Sequence, residues 1–548
     1  MQTLDAIAHI LKKEGIEYLS SFPTTHVIES AADVGIRPII CRQERVGVGI
    51  ADGYSRVTNG NPAGVFAMQY GPGAENAYAG VATAFSDAVP VLLLPLGYPG
   101  DRDGVYPHFS SVRSYESITK NVERLKASNL VVETMRRAFA RLKMGRPGPV
   151  MVEIPSDVGA EDVPDELVNS YRPVKVATAG ANVAAVDEAA AALLAASNPI
   201  IYAGQGVLYA EASDDLVELA ELLQIPVTTS MAGKSGFPEK HPLSLGSSSG
   251  VMNGAAYRFM GRADVVFAVG SSLTRHGMTT NIPSDKTFIQ ATNDPIDISK
   301  NYDIEYPLLG DAKLIIRQMI EACKDRHGGQ SRDGETAEEI ATVRQAWLDQ
   351  WAHKLNSAEV PMTPYRVISE FMNNIDPNHA IVTHDSGSPR DQLMPFYQAG
   401  GPHTYLGWGK SHGLGTGLGL NMGAKLADPD KFVVNFMGDA AFGMTGFDFE
   451  TAVRSGIPIL TVVLNNSSMA IETSAMARSH ELYNTRDLGG SYADLGTAMG
   501  GWAERIEDPS DIGPAFLRAK AATENGQAAL LEFITSEEGE FSHRRPFG

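Results

Sequence analysis

Two apolar strands with a helix between them, each followed at once by a polar residue, constrain this chain more than any other feature. Residues 431–437 (KFVVNFM) and 459–464 (ILTVVL) predict buried strands, and the apolar spacing of residues 440–455 predicts a helix between them. A helical crossover between parallel strands brings their carboxyl ends to one edge of a sheet. We therefore expect Asp439 and Asn466 side by side at the edge where open α/β sheets bind ligands.

Asp439 and Asn466 offer the oxygen ligands that magnesium prefers. Mg²⁺ usually takes one or two carboxylates, and phosphate and water oxygens complete its octahedral shell. The small residues Ala440 and Ala441 would let a phosphate approach the backbone, and the start of a helix favours its charge. Either fragment alone is typical of an ordinary turn. Because both occur in this order around one helix, the pattern favours a magnesium-diphosphate site.

This segment, which begins GDAAFG and ends LNN, resembles the signature of enzymes that use thiamine diphosphate. The signature is Gly-Asp-x followed by Asn after a little under thirty residues, and 466 − 439 gives 27 here. The spacing is similar to that of acetolactate synthases and benzoylformate decarboxylases, which share a superfamily with benzaldehyde lyase and 2-hydroxyacyl-CoA lyase. The resemblance implies thiamine diphosphate and Mg²⁺ as cofactors, with the metal bound by Asp439, Asn466 and the carbonyl group of Ser468.

The same resemblance assigns further residues to the cofactor. The diphosphate would lie against the turn HDSGSPRDQ, and the side chain 25 residues before Asp439 would support the bent cofactor, although that leucine is equally consistent with a core position. Besides a glutamate from another domain, the implied cofactor-binding residues are Ser386, Gly387, Ser388, Leu414, Gly438, Asp439, Ala440, Ala441, Asn466, Ser468, Met469 and Ala470.

That glutamate is Glu44, which opens the glycine-rich motif ERVGVGIADGYSR directly after a predicted strand. A lone glutamate in a first helical turn is usually a solvated acid that interacts well with the helix dipole. In the resembling family a glutamate stands here and helps the aminopyrimidine of the cofactor act as a base, so we interpret Glu44 as catalytic. Gly47, Gly49 and Gly53 would weaken an isolated helix, which indicates close packing of a backbone or a ligand.

Length and composition predict a soluble protein of about three domains. The chain has 548 residues, 43% of them hydrophobic and 20% charged. A formal charge of −20 argues against nucleic acid and anionic membranes as partners and leaves a small-molecule substrate. The cysteines, Cys41 and Cys323, form no disulfide or metal pattern. Without a signal peptide or a bilayer-spanning apolar run, we expect a cytoplasmic protein.

The predicted fold class is α/β, with three doubly wound α/β domains built on mainly parallel sheets. The predicted domains are residues 1–165, 182–325 and 360–548, and the resemblance implies that the first binds the pyrimidine, the third binds diphosphate and magnesium, and the second is a middle domain. Polar segments at residues 160–178 and 324–338 mark the boundaries. The resemblance implies that each cofactor lies between two subunits, so we expect an obligate homodimer and, as is common among relatives, a homotetramer.

Residues that would choose the reaction lie in loops. His26 and Gln69 are interpreted as catalytic groups that move protons or orient a carbonyl group, with a helix-terminal histidine bonded to backbone as the alternative for the first. The predicted substrate pocket comprises Thr25, Tyr70, His108, Phe109, Ile471 and Glu472. In the middle domain, GSSLTRHG departs from the FAD pattern of acetolactate synthases, so we doubt FAD. ADP or CoA stays an alternative there because Arg275, His276 and Asp294 lie near strand ends.

The leading hypothesis is a thiamine-diphosphate-dependent lyase or carboligase that acts on an acyloin, a 2-hydroxyacyl-CoA, a 2-oxo acid or an aldehyde. A simple 2-oxo acid decarboxylase is the enzymatic alternative, and a catalytically silent cofactor-binding partner protein is the other. The basic tail SHRRPFG (542–548) is interpreted either as a cover for the site or as a disordered end.

Overall fold

The computed structural model of the protein describes residues 1–23, 25–327 and 334–544. Within these residues three sheets follow one another along the chain, and each contains six parallel strands. The predicted α/β fold with parallel sheets is confirmed. Each sheet falls inside one of the three predicted domains, whose bounds stay predictions.

The first sheet has the order β2-β1-β3-β4-β6-β5. Strands β3, β4 and β6 are buried along their whole length because helices cover both faces, which explains their nearly continuous apolar sequences. The strands are β1 (Tyr18–Ser21), β2 (Arg37–Ile40), β3 (Gly64–Met68), β4 (Val91–Gly97), β5 (Asn121–Arg124) and β6 (Val150–Pro155). The helices are α1 (Thr3–Lys13), α2 (Val27–Asp33), α3 (Glu44–Val57), α4 (Pro72–Ser86), α5 (Ser111–Tyr115), α6 (Val131–Lys143), α7 (Ser156–Gly159) and α8 (Asp165–Asn169).

The second sheet has the order β12-β11-β10-β7-β8-β9. This is the strand order of dinucleotide-binding folds, with the switch point between β7 and β10. The strands are β7 (Pro199–Ala203), β8 (Val227–Ser230), β9 (Ser244–Ser248), β10 (Val265–Val269), β11 (Thr287–Thr292) and β12 (Tyr306–Leu309). The helices are α9 (Val183–Ala195), α10 (Gly206–Tyr209), α11 (Ser213–Leu223), α12 (Gly254–Arg262) and α13 (Ala312–His327), and α14 (Glu335–Leu355) leads to the third sheet.

The third sheet, β14-β13-β15-β16-β18-β17, repeats the strand order of the first. Its strands are β13 (Ala380–His384), β14 (Tyr405–Leu406), β15 (Phe432–Gly438), β16 (Leu460–Asn465), β17 (Trp502–Ile506) and β18 (Ala529–Ile534). Its helices are α15 (Pro364–Asn374), α16 (Ser388–Leu393), α17 (Thr416–Ala427), α18 (Asp439–Thr445), α19 (Phe449–Arg454), α20 (Ala477–Tyr483), α21 (Tyr492–Ala498) and α22 (Ile512–Glu524).

The prediction of a single helix over residues 440–455 was wrong in one respect, because the structure has two helices there. A 3₁₀ turn at Gly446–Asp448 separates α18 from α19. The carboxylate of Asp448 accepts the backbone N–H groups of Arg42 at 2.7 Å and Gln43 at 3.1 Å, directly before α3. The break therefore lies where the third domain contacts the first.

Helices α3 and α17 join the first and third domains by backbone contact. A Cβ added at Gly49 would lie 3.1 Å from the Cα of Gly419, and one at Gly53 would overlap the carbonyl oxygen of Leu420. Gly49 and Gly53 are thus explained by close packing of another backbone, one of the two predicted reasons, whereas Gly47 packs against the side chains of Phe66 and Cys41.

Two predicted segments fall partly outside the described residues. The predicted boundary at 324–338 includes the end of α13 and the start of α14, and its residues 328–333 are not among those described. Residues 545–548 of the basic tail are not among them either. In the described parts of the chain, no helix combines the length and the apolar character needed to cross a bilayer.

Candidate active site

The ends of β15 and β16 bring the two predicted metal ligands together. These strands pair in parallel, with Gly438 opposite Leu464, so the residues that follow them emerge at one edge of the sheet. Asp439 opens α18 and is 3% exposed, and Asn466 follows β16 directly. The crossover geometry inferred from the sequence is therefore present.

Asp439 has one satisfied and one unsatisfied carboxylate oxygen. Its Oδ1 accepts the backbone N–H of Ala440 at 2.8 Å, whereas its buried Oδ2 has no hydrogen-bond partner among the described residues. Burial raises the pKa of Asp439, and the hydrogen bond from the backbone N–H of Ala440 opposes that rise. A buried oxygen without a partner is costly, and a bound cation would remove that cost.

The turn after β16 presents Asn466 and Ser468 beside that oxygen. Asn466 Oδ1 accepts the N–H of Ser468 at 3.0 Å, and Ser467 adopts a left-handed conformation (φ 55°) between them. Asn465 fixes the turn from behind, because its amide donates to Glu532 Oε1 at 2.7 Å. No cluster of three His, Cys, Asp or Glu side chains that could hold a metal occurs in the described residues, so the set of one carboxylate, one amide and one carbonyl fits Mg²⁺ better than a softer metal.

A cavity of about 350 Å³ opens at these residues. All the cofactor-binding residues predicted in the third domain line it, together with the predicted pocket residues Ile471 and Glu472. The cavity is also lined by Arg390, His412 and Arg544, and by Met278 of the middle domain. None of them was predicted, although Arg390 belongs to the turn HDSGSPRDQ and Arg544 to the tail SHRRPFG. The local sequence of Arg390, His412 and Met278 carried no signal for a cavity, whereas a cover for the site was one interpretation of the tail that contains Arg544.

The loop before α16 is held by the buried Asp385. Its Oδ1 accepts N–H groups of Ser386 and Gly415, and its Oδ2 accepts that of Gly417, each at 2.8 Å. Burial raises the pKa of Asp385 to about 6 despite these bonds. Asp385 therefore ties the predicted diphosphate loop to the start of α17 and has little capacity left for a ligand.

Glu44 lies elsewhere in the same chain. It is the first residue of α3, is 6% exposed and does not line the cavity around Asp439. Burial raises the pKa of Glu44, and hydrogen bonds from its own backbone and from the Asn76 side chain oppose this. Asn76, on α4, is a neighbour that the sequence did not reveal.

The other predicted residues of the first domain also lie away from that cavity. His26 is exposed in front of α2 and makes no capping hydrogen bond with its side chain, while Thr25 is buried. Gln69 and Tyr70 follow β3. The rings of Tyr70 and Tyr98 are 4.6 Å apart, and Tyr98 stacks on the exposed His108 at 4.4 Å. Half-buried Phe109 packs against the apolar cluster beneath these residues.

A second cavity, of about 600 Å³, lies at the switch point of the second sheet. Residues after β7 and β10 line it, including Gly204, Gly206 and Gly270, and Lys410 of the third domain closes one side. Arg275, His276 and Asp294, predicted near these strand ends, do not line it. Arg275 instead covers the Tyr302 ring at 4.9 Å, and Asp294 caps a 3₁₀ turn.

Comparison with known proteins gives one consistent result. Three models of thiamine pyrophosphate enzymes match the chain: the N-terminal TPP-binding domain at residues 1–112, the central domain at 186–319 and the C-terminal TPP-binding domain at 385–533. An acetolactate synthase large subunit of Parasynechococcus marenigrum is 30% identical over 84% of this chain and 75% of its own length.

Two further relatives cover nearly the whole chain. A probable acetolactate synthase large subunit of Methanocaldococcus jannaschii is 29% identical over 97% of this chain and 92% of its own. A sulfoacetaldehyde acetyltransferase of Alcaligenes xylosoxydans xylosoxydans is 28% identical over 92% and 88%.

Fold, site and matches together define an enzyme that depends on thiamine diphosphate and forms or cleaves carbon–carbon bonds. The chain belongs to the thiamine pyrophosphate enzyme family, on the acetolactate synthase-like side of it. The comparisons support a carboligase and do not favour the simple decarboxylase.

Proposed function

We propose that the protein is a carboligase that binds thiamine diphosphate through Mg²⁺ between two copies of the chain. The observation that carries the metal proposal is the buried Oδ2 of Asp439, which has no partner in the described part of the chain and lies in one cavity with Asn466 and Ser468. Ser386, Gly387 and Ser388 would hold the diphosphate, and Leu414 and Met469 would support the cofactor rings.

Thiamine diphosphate, when bound, supplies the carbon nucleophile for bond formation or cleavage next to a carbonyl group. The chain's own residues would position the cofactor and the substrate and exchange protons with them. Glu44, buried and with its pKa raised, would hold a hydrogen bond to the pyrimidine ring. Exposed His26 and half-buried Gln69 would exchange protons with the substrate or orient its carbonyl group, and the Tyr70–Tyr98–His108 stack would form a pocket wall.

A homodimer is proposed because the cavity around Asp439 lacks Glu44 within one chain, although α3 and α17 pack against each other there. Glu44 lies outside the cavity that contains Asp439, so a second copy would have to supply the missing half. Exposed apolar side chains after the metal motif, Met444 at 49% and Phe447 at 67%, support such a contact. A homotetramer and a cytoplasmic location stay predictions.

The test of the metal site compares two aspartate variants. Asp439→Ala removes the proposed ligand, so calorimetric titration should show the affinity for thiamine diphosphate in Mg²⁺ buffer reduced by at least about tenfold. Asp430→Ala, at an exposed position before β15, is the matched control and should bind like wild type. Equal affinity in both variants would contradict the proposal.

The reaction is tested by supplying 2-oxo acids, 2-hydroxyacyl-CoAs and aldehydes separately and in pairs. A carboligase gives a ligated product, or splits it in reverse. Free aldehyde as the sole product from a 2-oxo acid would instead favour the decarboxylase, and no turnover despite bound cofactor would leave the silent partner protein.

The second cavity supports a nucleotide ligand such as ADP or CoA. It opens at the switch point between β7 and β10, where Gly204, Gly206 and Gly270 pack closely. We still expect no FAD. Titration with ADP and CoA tests the nucleotide ligand, and the absorbance spectrum of the purified protein tests for bound FAD.

A further inference from the structure

Arg390 is a buried arginine whose guanidinium group is only partly paired. It lies in α16, two residues after Ser388, is 2% exposed and lines the cofactor cavity. Its Nε donates to Asp391 Oδ1 at 2.7 Å, whereas its two Nη atoms donate to no described residue. A guanidinium group has five N–H donors in a planar fork, so four remain for a ligand.

A second arginine shares the same carboxylate. Nη2 of Arg544 lies 3.7 Å from Asp391 Oδ2, and Arg544 also lines the cavity. Two cations thus face one carboxylate. The other acidic residues on the cavity wall, Asp439 and Glu472, form no ion pair with either arginine. Arg544 is exposed and therefore solvated, whereas Arg390 is buried, so an anionic ligand would supply the acceptors that the Nη atoms of Arg390 lack among the described residues.

The segment that carries Arg544 is held in place by the middle domain and by α14. The hydroxyl of Ser542 donates to the Met252 carbonyl at 2.8 Å and accepts Trp347 Nε1–H at 2.9 Å. The ring of His543 stacks on Tyr257 with centroids 4.3 Å apart. Arg544 is thus brought to the cavity by specific contacts on both preceding residues.

We infer that Arg390 and Arg544 form an anion anchor that selects substrates bearing a carboxylate, sulfonate or phosphonate group. The inference rests on the proposed function and narrows its substrate class. Guanidinium groups bind such oxyanions through paired N–H donors, and Asp391 orients both arginines without neutralising both.

The diphosphate of the cofactor carries the same chemistry, but the geometry favours the substrate. Pro389, not Arg390, faces the metal motif, since its Cγ lies 3.9 Å from a Cβ position at Gly438. The Cδ of Arg390 instead lies 3.8 Å from the Cβ position of Gly409, in the loop that runs towards His412 and the middle domain. The Arg390 side chain therefore packs towards the Gly409 loop and not towards Gly438.

The experiment measures selectivity in the enzyme loaded with Mg²⁺ and thiamine diphosphate. At a fixed donor concentration, kcat/KM is determined for anionic succinic semialdehyde and sulfoacetaldehyde and for neutral butanal as acceptors. Wild type should prefer the anions, and Arg390→Met should lower the anionic-to-neutral ratio about 10- to 100-fold, mainly through KM. Arg390→Lys should restore part of the ratio because it keeps the charge. Arg518→Met removes an exposed arginine that pairs with Glu504, and should leave the ratio unchanged.

A second variant and a binding measurement distinguish a substrate anchor from a contact with the cofactor. Arg544→Met lies outside the sheets, so it tests the anchor even where Arg390→Met does not fold, and it should lower the same ratio. The affinity for thiamine diphosphate is measured for each variant: a loss of that affinity with an unchanged ratio would assign the arginines to the cofactor and overturn the inference. A wild-type enzyme that does not distinguish anionic from neutral acceptors would overturn it while leaving the carboligase proposal intact, whereas no turnover at all would contradict both.

Discussion

At the scale of the residue, Asp448 links the metal-binding domain to the glutamate of the other domain. Its carboxylate accepts the N–H groups of Arg42 and Gln43, the two residues directly before Glu44. It also accepts the hydroxyl of Thr451. Burial raises the pKa of Asp448 to about 6, although these hydrogen bonds lower it. The position of α3 relative to the third domain therefore depends on a titrating group.

Asp448 should make stability depend on pH in a defined window. An unfolded aspartate titrates near pH 4, so between about pH 4 and 6 the folded chain holds a proton that the unfolded chain has lost. The contribution of Asp448 is complete below that window and is lost as the pH rises through about 6. The unfolding free energy of wild type relative to Asp448→Asn should fall by up to about 3 kcal/mol from pH 4 to 7. Denaturant titrations at several pH values measure this, with exposed Asp430→Asn as the control; a flat difference would contradict it.

At the scale of the element, the crossing of α3 and α17 has no room for side chains. Gly53→Ala should push the helices apart, because its Cβ would overlap the Leu420 carbonyl oxygen. We expect a loss of about 1–3 kcal/mol in unfolding free energy. Gly401→Ala, where a Cβ meets nothing within 4 Å, should stay within about 0.5 kcal/mol of wild type. Thermal unfolding of the two variants measures this difference in stability. Equal unfolding midpoints would mean that separating the helices costs no unfolding free energy.

The same elements show what the sequence could reveal. Strand period, helix spacing and the Asp439–Asn466 separation are local signals, and they predicted the parallel sheets and the cavity edge. The break between α18 and α19 was missed because its partner, the backbone at Arg42, lies more than 400 positions away. Arg390 was missed for the same reason, since only the fold shows that it lines a cavity.

At the scale of the whole molecule, the first and third sheets have the same strand order but carry different halves of the proposed site. Asp439 and its neighbours line one cavity, and Glu44 is buried beside Asn76 outside it. A closed dimer with two-fold symmetry would bring the Glu44 of each copy to the cavity of the other and form two equivalent sites. In an enzyme built this way, two variants that are each inactive can regain activity when they form a mixed dimer.

Complementation between two inactive variants tests this arrangement. Glu44→Gln and Asp439→Ala should each abolish activity as pure dimers, because every site lacks one essential group. When both chains are co-expressed in equal amounts, half of the dimers are mixed and each mixed dimer has one intact site, so about a quarter of wild-type activity should return. The mixed species is isolated by different tags on the two chains, and activity per dimer is measured against wild type. Sites formed within single chains would stay inactive in every combination, so the absence of recovered activity in isolated mixed dimers would rule out the shared site.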